Sequence, residues 1–242
     1  MSDSVKLILI RHGESQWNVE QRFTGWADID LTENGVVQMR AAASAMRGQG
    51  IEIDVIFSSV LRRCIRSTWV LLEALERVWV PQILDWRLNE RHYGALTGRS
   101  KETAVQVHGV DAVHRWRRSY DAQPPPSDAA AQAFIQIDRR YAAVSQDDLP
   151  QGESLHQTVI RVREVWRESI APALKAHRTV AVVGHGNSLR ALIMIVEGLS
   201  ATCIVDVEVG NGDLLVYTFD AAGTLTERYI VAAPLQRGSD IL

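Results

Sequence analysis

The chain has 242 residues, 46% of them hydrophobic, enough to bury a substantial core in one large domain or two small ones. Its 26 basic and 29 acidic residues leave a net charge of −3, which excludes the bulk positive field of a general nucleic-acid or membrane-surface binder. Two cysteines, Cys64 and Cys203, stand far apart without CxxC spacing; they predict neither a disulfide framework nor a zinc site, only two core thiols in a reducing compartment.

The start, MSDSV, carries no basic-apolar leader, and no apolar run reaches the roughly 18 residues a membrane span needs, so a cytoplasmic protein without a membrane partner is expected. Residues 5–10 (VKLILI) form a continuous apolar run, the mark of a strand buried on both faces. FTGWADID (23–30) is loop-like. Thr32 is a predicted N-cap for a helix over 33–47, stopped by Gly48 and Gly50. IDVIFSS (53–59) reads as the next strand. Leu61, Ile65, Thr68, Trp69, Leu72 and Leu75 then mark one face at helical spacing. VPQIL (80–84) predicts a strand, DWRLNERHYGALTG a loop, and helices follow near 100–108 and 111–119. Residues 121–152 change composition, with PPP at 124–126, alanines at 129–131 and DDLPQG at 147–152; they read as an insertion or lid rather than a βα unit.

Leu155, Val159, Val162, Trp166 and Ile170 define a long amphipathic helix that Pro172 should kink or end. VAVVGHG is a second central strand, SLRALIMIVEGL (188–199) a mostly buried helix, and LLVYTF (214–219) and ERYIVA (227–232) the closing strands. This alternation predicts an α/β fold, a three-layer α/β/α sandwich with a mostly parallel central sheet. It is expected as a single domain over 1–242 with an insertion or lid around 119–152.

The chemistry-bearing residues sit where the apolar runs end. LILIRHGE puts Arg11, His12 and Gly13 at the carboxyl end of the first strand, where open α/β sheets present ligands. A neutral imidazole is a good nucleophile toward phosphorus, whereas a histidine alone at a strand end is more often a core residue bonded to backbone. Arg11 favours the first reading through its planar fork, and Gly13 by admitting backbone N–H groups to an anion. His185, between Gly184 and Gly186 and followed by Asn187 at a helix start, repeats the pattern; its plain alternative is a turn histidine.

Glu90, in LNERHYG beside Arg91, His92 and Tyr93, is a candidate proton donor and acceptor, against the default of a surface carboxylate. Arg63 follows a strand end. Arg117 and Arg118 in HRWRRSY read either as a solvated helix face or as forks for a second phosphate or a carboxylate, and Lys101 adds a point charge. The seven tryptophans read as core and lid packing. HExxH, CxxC, DxDxDG and the Walker lysine are absent, so no metal is expected and arginines, histidines and backbone amides must neutralise phosphoryl charge.

RHGESQWN, FTGWADIDLTENG, SSVLRRCIRST, WRLNERHYGALTG, RWRRSYDAQPPP, ESLHQTVIRV and GHGNSLRAL, collinear over most of residues 5–200, resemble the cofactor-dependent phosphoglycerate mutases of the histidine phosphatase superfamily. RHG alone implies only the superfamily; ERHYGAL, WRR and FTGW are more specific. The resemblance implies a phosphoglycerate mutase-like fold, with His12 as the phosphorylated nucleophile, Glu90 as general acid and base, and His185, Arg11 and Arg63 around the transferring group. It implies that Ser15, Asn18, Thr24, Gly25, Arg91, Tyr93, Lys101, Arg117, Arg118, Gly186 and Asn187 hold the substrate. It further implies interconversion of 3-phosphoglycerate and 2-phosphoglycerate, priming by 2,3-bisphosphoglycerate without a metal, a place in glycolysis and gluconeogenesis, and a homodimer or homotetramer.

Three stretches depart from the family pattern. Residues 208–215 (EVGNGDLL) stand where the family has a Pro-Thr-Gly-x-Pro segment; 127–150 is rich in Ala, Gln and Asp; the tail QRGSDIL lacks a basic ending. They keep two other readings open: a phosphoester hydrolase that admits water to the same phosphohistidine, and a non-catalytic anion-binding module. The retained Arg117 and Arg118 weigh against the hydrolase, and the complete set of catalytic residue types weighs against the module.

Overall fold

The computed structural model describes residues 4–231. The tail QRGSDIL and Ala232, the last residue expected in the closing strand, lie outside them. The strands are β1 (Val5–Arg11), β2 (Val55–Ser58), β3 (Gln82–Leu84), β4 (Thr179–Gly184), β5 (Leu214–Phe219) and β6 (Leu225–Val231). They form one sheet in the order β3-β2-β4-β1-β5-β6; β3, β2, β4 and β1 run parallel, and β5 and β6 are antiparallel.

The helices are α1 (Gln16–Val19), α2 (Glu33–Gly48), α3 (Arg62–Ala74), α4 (Lys101–His108), α5 (Val110–Arg118), α6 (Ala129–Ile137), α7 (Leu155–Val165), α8 (Ala171–Ala176) and α9 (Gly186–Glu197). Side chains alternate along the central strands, so each face carries its own core. Leu7, Leu9, Val180 and Val182 pack under Leu155, Val159 and Val162 of α7 and Leu189, Leu192 and Ile193 of α9. Ile8, Ile10, Ala181 and Val183 pack against Met39, Ala42, Ala43 and Met46 of α2 and Cys64, Leu71 and Leu72 of α3. The expected three-layer sandwich is therefore present. Fully burying an aliphatic side chain of this size stabilises the fold by about 1.5–3 kcal/mol, which is why the continuous apolar runs end up central.

Several local expectations differ. The buried face of α3 is Arg63, Cys64, Ser67, Thr68, Leu71 and Leu72, because that face meets α2 and β4, while Trp69 on the predicted stripe is 60% exposed. Trp79 is 65% exposed, so not every tryptophan is a packing residue. Cys203 is exposed on the short turn Cys203–Asp206, and only Cys64 is a core thiol. Pro172 does not end its helix. A π turn at Trp166–Ile170 precedes it, and Pro172 sits in the first turn of α8; the wide turn accommodates the missing N–H, so the helical path continues to Ala176.

One contact positions the site. Thr32 caps α2 by accepting from the Gly35 amide, while its own amide donates to the Glu14 carbonyl at 2.9 Å. The RHGE loop thus lies directly on the first turn of α2. A Cβ added at Gly35 would stand 2.2 Å from the Glu14 carbonyl oxygen, and one at Gly13 2.2 Å from that of Gly35. Both overlaps are with backbone, which cannot swing aside. Gly35→Ala is therefore expected to lower the denaturant midpoint by an amount equivalent to about 1–3 kcal/mol or more; an unchanged midpoint would contradict this packing.

Candidate active site

β1 and β4 are adjacent, parallel and level: Arg11 pairs with Gly184. The next residue on each strand is a histidine, and the two rings lie 5.0 Å apart, edge to face. Both are buried. His12 Nδ1 donates to the Gly13 carbonyl at 2.7 Å, which leaves the Nε2 lone pair free. Burial, with the Arg63 and Arg11 guanidiniums adding to it, holds His12 well below the usual histidine range. His185 is held low by burial and then by Arg63 and His12. Two neutral imidazoles therefore face each other.

Arg63 is buried and spends its donors on the protein: Nε on His185 Nδ1 at 3.1 Å, Nη1 on the Ala27 carbonyl and Nη2 on the Gly25 carbonyl. His185 Nδ1 accepts that bond, so Nε2 carries the proton and gives it to Ser59 Oγ at 2.9 Å. Ser59 Oγ donates to Asn89 Oδ1, and the Asn89 amide donates to Tyr141 Oη. Tyr141 stacks on Trp26 at 5.0 Å, which brings the 119–152 segment against this chain of bonds. The Cys64 thiol lies 3.2 Å from His185 Nε2, and burial pushes its pKa up.

Glu90 is fixed through its backbone. Its carbonyl accepts from Trp26 Nε1 at 2.6 Å and from Arg161 Nη2 at 2.9 Å. Arg161 Nη1 also holds the carbonyls of Arg87 and Asn89, and Arg161 forms a buried bidentate pair with Glu153 at 2.7 and 2.8 Å. The Glu90 carboxylate accepts from the Arg91 amide and, at the start of α9, from the Asn187 amide. A Cβ on Gly186 would lie 3.7 Å from Glu90 Oε2 and 3.9 Å from the Arg11 guanidinium carbon, so bare backbone there keeps the space between them open.

A second cationic group surrounds Tyr93. Arg91 is fully buried, lies over the Tyr93 ring at 4.8 Å, and keeps Nε and Nη1 without a protein partner. Tyr93 Oη accepts from Arg91 Nη2 and Asn187 Nδ2. Arg117 is half-buried, and that burial lowers its pKa, with Arg118 and Arg91 contributing. Arg118 pairs with Glu208 at 2.5 Å. Gly25 packs on the backbone of Arg91 and Tyr93, with Thr24 buried beside it. Ser15 and Asn18 bond to each other at the start of α1, and Asn211 joins Asn18 to the His12 carbonyl. Lys101 donates to Gln21, on the loop that carries Thr24 and Gly25.

Sequence reasoning did not single out Trp26, Ser59, Asn89, Glu153, Arg161 or Arg190 as parts of the site. Arg190 donates to Asn187 Oδ1 at 3.2 Å and to the Ile204 carbonyl at 2.6 Å, so it turns the Asn187 amide toward Tyr93. The one available signal was a charged residue on an apolar helix face: Arg161 beside Val162 on α7, and Arg190 between Leu189 and Ala191 on α9. Glu153 and Arg161 meet only because α7 starts between them.

A family model of the histidine phosphatase superfamily (branch 1) matches residues 7–147 and 134–231. The chain is 46% identical over 224 residues to a 2,3-bisphosphoglycerate-dependent phosphoglycerate mutase of Enterococcus faecalis, covering 93% of this chain and 98% of that protein. It is 48% identical over 225 residues to one of Zymomonas mobilis, covering 93% and 97%. Among solved structures, a mycobacterial glucosyl-3-phosphoglycerate phosphatase complexed with VO3 is similar at a TM-score of 0.69 and 25% identity, covering 88% of this chain and 92% of that one.

Two predictions follow from the buried polar groups. His92, buried against Trp26, is pushed down to about 4 by burial. The unfolded chain takes up a proton near the ordinary value of about 6.5 and the folded chain only near 4, so this stability is complete above the ordinary value and is lost as pH falls toward 4. For His92 alone the loss between about pH 7.5 and about pH 5 is on the order of 2 kcal/mol in denaturant melts, and His92→Gln should flatten that dependence. Arg161→Met leaves the Glu153 carboxylate buried and unpaired and should cost about 3–5 kcal/mol. Adding Glu153→Gln should restore much of the stability but not turnover, because the Glu90 carbonyl still lacks its donor; full recovery of both would refute the positioning of Glu90 by Arg161.

Proposed function

Because the chain belongs to the histidine phosphatase superfamily, and within it to the 2,3-bisphosphoglycerate-dependent phosphoglycerate mutases, we propose that it interconverts 3-phosphoglycerate and 2-phosphoglycerate through a phosphorylated His12. The observation that carries this is a paired, neutral His12 and His185 with arginines at two ends of one site. Arg11 and Arg63 lie at the histidines, and Arg91, Arg117 and Arg118 lie around Tyr93. A simple phosphatase needs only the first set.

The residues support the following roles. His12 Nε2 gives its phosphoryl group to the free hydroxyl of 3-phosphoglycerate; the N–P bond breaks, the new O–P bond forms, and Glu90 takes the hydroxyl proton. The glycerate turns over within the site. Nε2 then accepts the other phosphoryl group, and Glu90 returns its proton to the departing oxygen. Arg11, Arg63 and His185 stabilise the charge that spreads over the transferring group. Ser15, Asn18, Thr24, Gly25, Gly186 and Asn187 line that end; Arg91, Tyr93, Lys101, Arg117 and Arg118 hold the other.

2,3-Bisphosphoglycerate supplies the phosphoryl group that loads His12 before the first turnover. The buried, unpartnered donors Arg11 Nε and Arg91 Nε and Nη1 fit a ligand with an anion at each end. Arginines supply the cationic charge in this reading, and no metal is required. The 119–152 segment acts as an insertion over a single domain, keeping water from phosphorylated His12. The role belongs to glycolysis and gluconeogenesis in the cytoplasm. No described helix is long and apolar enough to cross a membrane.

A homodimer or homotetramer is supported by the edge of the sheet. β3 is exposed along its whole length, its own Ile83 and Leu84 present apolar area, and Val78 and Trp79 are exposed on the chain that leads into it. Trp79→Asp is expected to lower the mass measured by light scattering; an unchanged assembly would exclude this edge.

The deciding experiment is a time course with 3-phosphoglycerate, with and without 2,3-bisphosphoglycerate and with EDTA, following 2-phosphoglycerate and free phosphate. Isomer formation should depend on the bisphosphate, survive EDTA and outrun phosphate release; release of phosphate in excess of isomer would make the protein a hydrolase. His12→Ala should fold and fail to take label from 32P-bisphosphoglycerate, and a labelled variant would refute the nucleophile. Gly186→Ala meets only ordinary contacts, so it should keep its melting temperature while turnover drops by about tenfold or more.

A further inference from the structure

The segment 208–215 spans both cationic ends of the site. At the histidine end, Arg11 Nη1 donates to the Val209 carbonyl at 2.6 Å, and Asn211 donates to the His12 carbonyl at 3.0 Å. Asp213 closes the turn by accepting from the Gly210 amide at 2.6 Å, and its own carbonyl accepts from the Arg11 amide. On the other side, Arg190 holds the Ile204 and Val205 carbonyls. Glu208 lies between these two anchors, with Val209 buried behind it, so the position of its backbone is built rather than left to a free loop. Its carboxylate projects from this wall to Arg118, 2.5 Å away, and also reaches Arg117 electrostatically.

We propose that Glu208 is a specificity residue: its carboxylate occupies Arg118 until an incoming ligand brings an anionic group of its own to that end. The inference rests on the reading of Arg118 as part of the site's second anion-binding end. The Glu208 side chain is 68% exposed, so its pairing with Arg118 is weak and exchangeable. A weak internal pair is suited to this role. It lowers the apparent affinity of a ligand that needs Arg118 by the fraction of molecules in which Arg118 is already taken, and it leaves a ligand that ignores Arg118 unaffected. The residue thereby tunes how strongly the site prefers small doubly anionic molecules without touching the phosphoryl-transfer end. It also offsets part of the mutual repulsion among Arg91, Arg117 and Arg118 while the site is empty of anion.

The test compares two ligands that differ in one group. 3-Phosphoglycerate carries a phosphate and a carboxylate; glycerol 3-phosphate has the same skeleton with an uncharged hydroxymethyl in place of the carboxylate. Calorimetric titration of the wild-type protein and Glu208→Gln with both ligands should show 3-phosphoglycerate bound about twofold to fivefold more tightly by the variant, with glycerol 3-phosphate unchanged. In turnover, KM for 3-phosphoglycerate should fall by a similar factor with kcat preserved. Equal dissociation constants for 3-phosphoglycerate, or the same gain for both ligands, would overturn the proposal. The binding ratio is read without turnover, so a wild-type protein that fails to make 2-phosphoglycerate would sink the mutase reading while the role of Glu208 is still decided by the titrations.

Discussion

Two parallel strands that stop at the same level are the constraint on which the site depends. With Arg11 opposite Gly184, the residues that follow, His12 and His185, are forced together at the carboxyl edge of the sheet. A one-residue slip would turn the side chains of one strand to the opposite face, and with them its histidine. The register is held by two separate cores, one on each face of the sheet, and each would lose its alternating apolar contacts in such a slip. Site geometry and core packing therefore depend on the same alignment.

Burial then sets the chemistry of the pair. In water, two histidines beside two arginines would be ordinary bases; at the end of β1 and β4 they lose hydration and stand near guanidinium charge, and both effects favour the neutral ring. The cost of burying so many polar groups is offset by bonding almost every one of them. His12 is tied to Gly13, and His185 to Arg63 and Ser59. Glu90 is treated differently: its backbone carbonyl is gripped by Trp26 and Arg161, and the Glu153–Arg161 pair that does so is itself sealed from water. Such a pair adds little net stability but is costly to break, which suits a brace better than a glue.

The two ends of the site are physically linked. The 204–213 stretch touches Arg11 and the His12 carbonyl at one end and Arg118 at the other, and Arg190 ties it to Asn187. The 119–152 segment reaches the histidines by another path, through Tyr141, Asn89 and Ser59. Both segments lie outside the central sheet yet are bonded to the groups at its carboxyl edge, one directly and one through Asn89 and Ser59.

Much of this was legible in the residues themselves. Continuous apolar runs marked β1 and β4, Thr32 marked its helix start, and a glycine next to the histidine after each run marked the two imidazoles that face each other. These are local signals: period, capping and backbone freedom act within a few residues. Errors arose where distant packing decides. The exposed side of Trp69 and the exposure of Cys203 both depend on which neighbour covers which face. The braces were invisible for the same reason. Arg161 meets Glu153 across a helix start, Ser59 meets His185 across 126 positions, and Glu208 meets Arg118 from a distant part of the chain. The sequence by itself determined the type of chemistry, because residue identity sets what a side chain can donate, accept or attack. Only the tertiary structure decided which of those groups are neutral, which are paired and which are left for a substrate, because desolvation and charge proximity exist only once the chain has brought remote residues together.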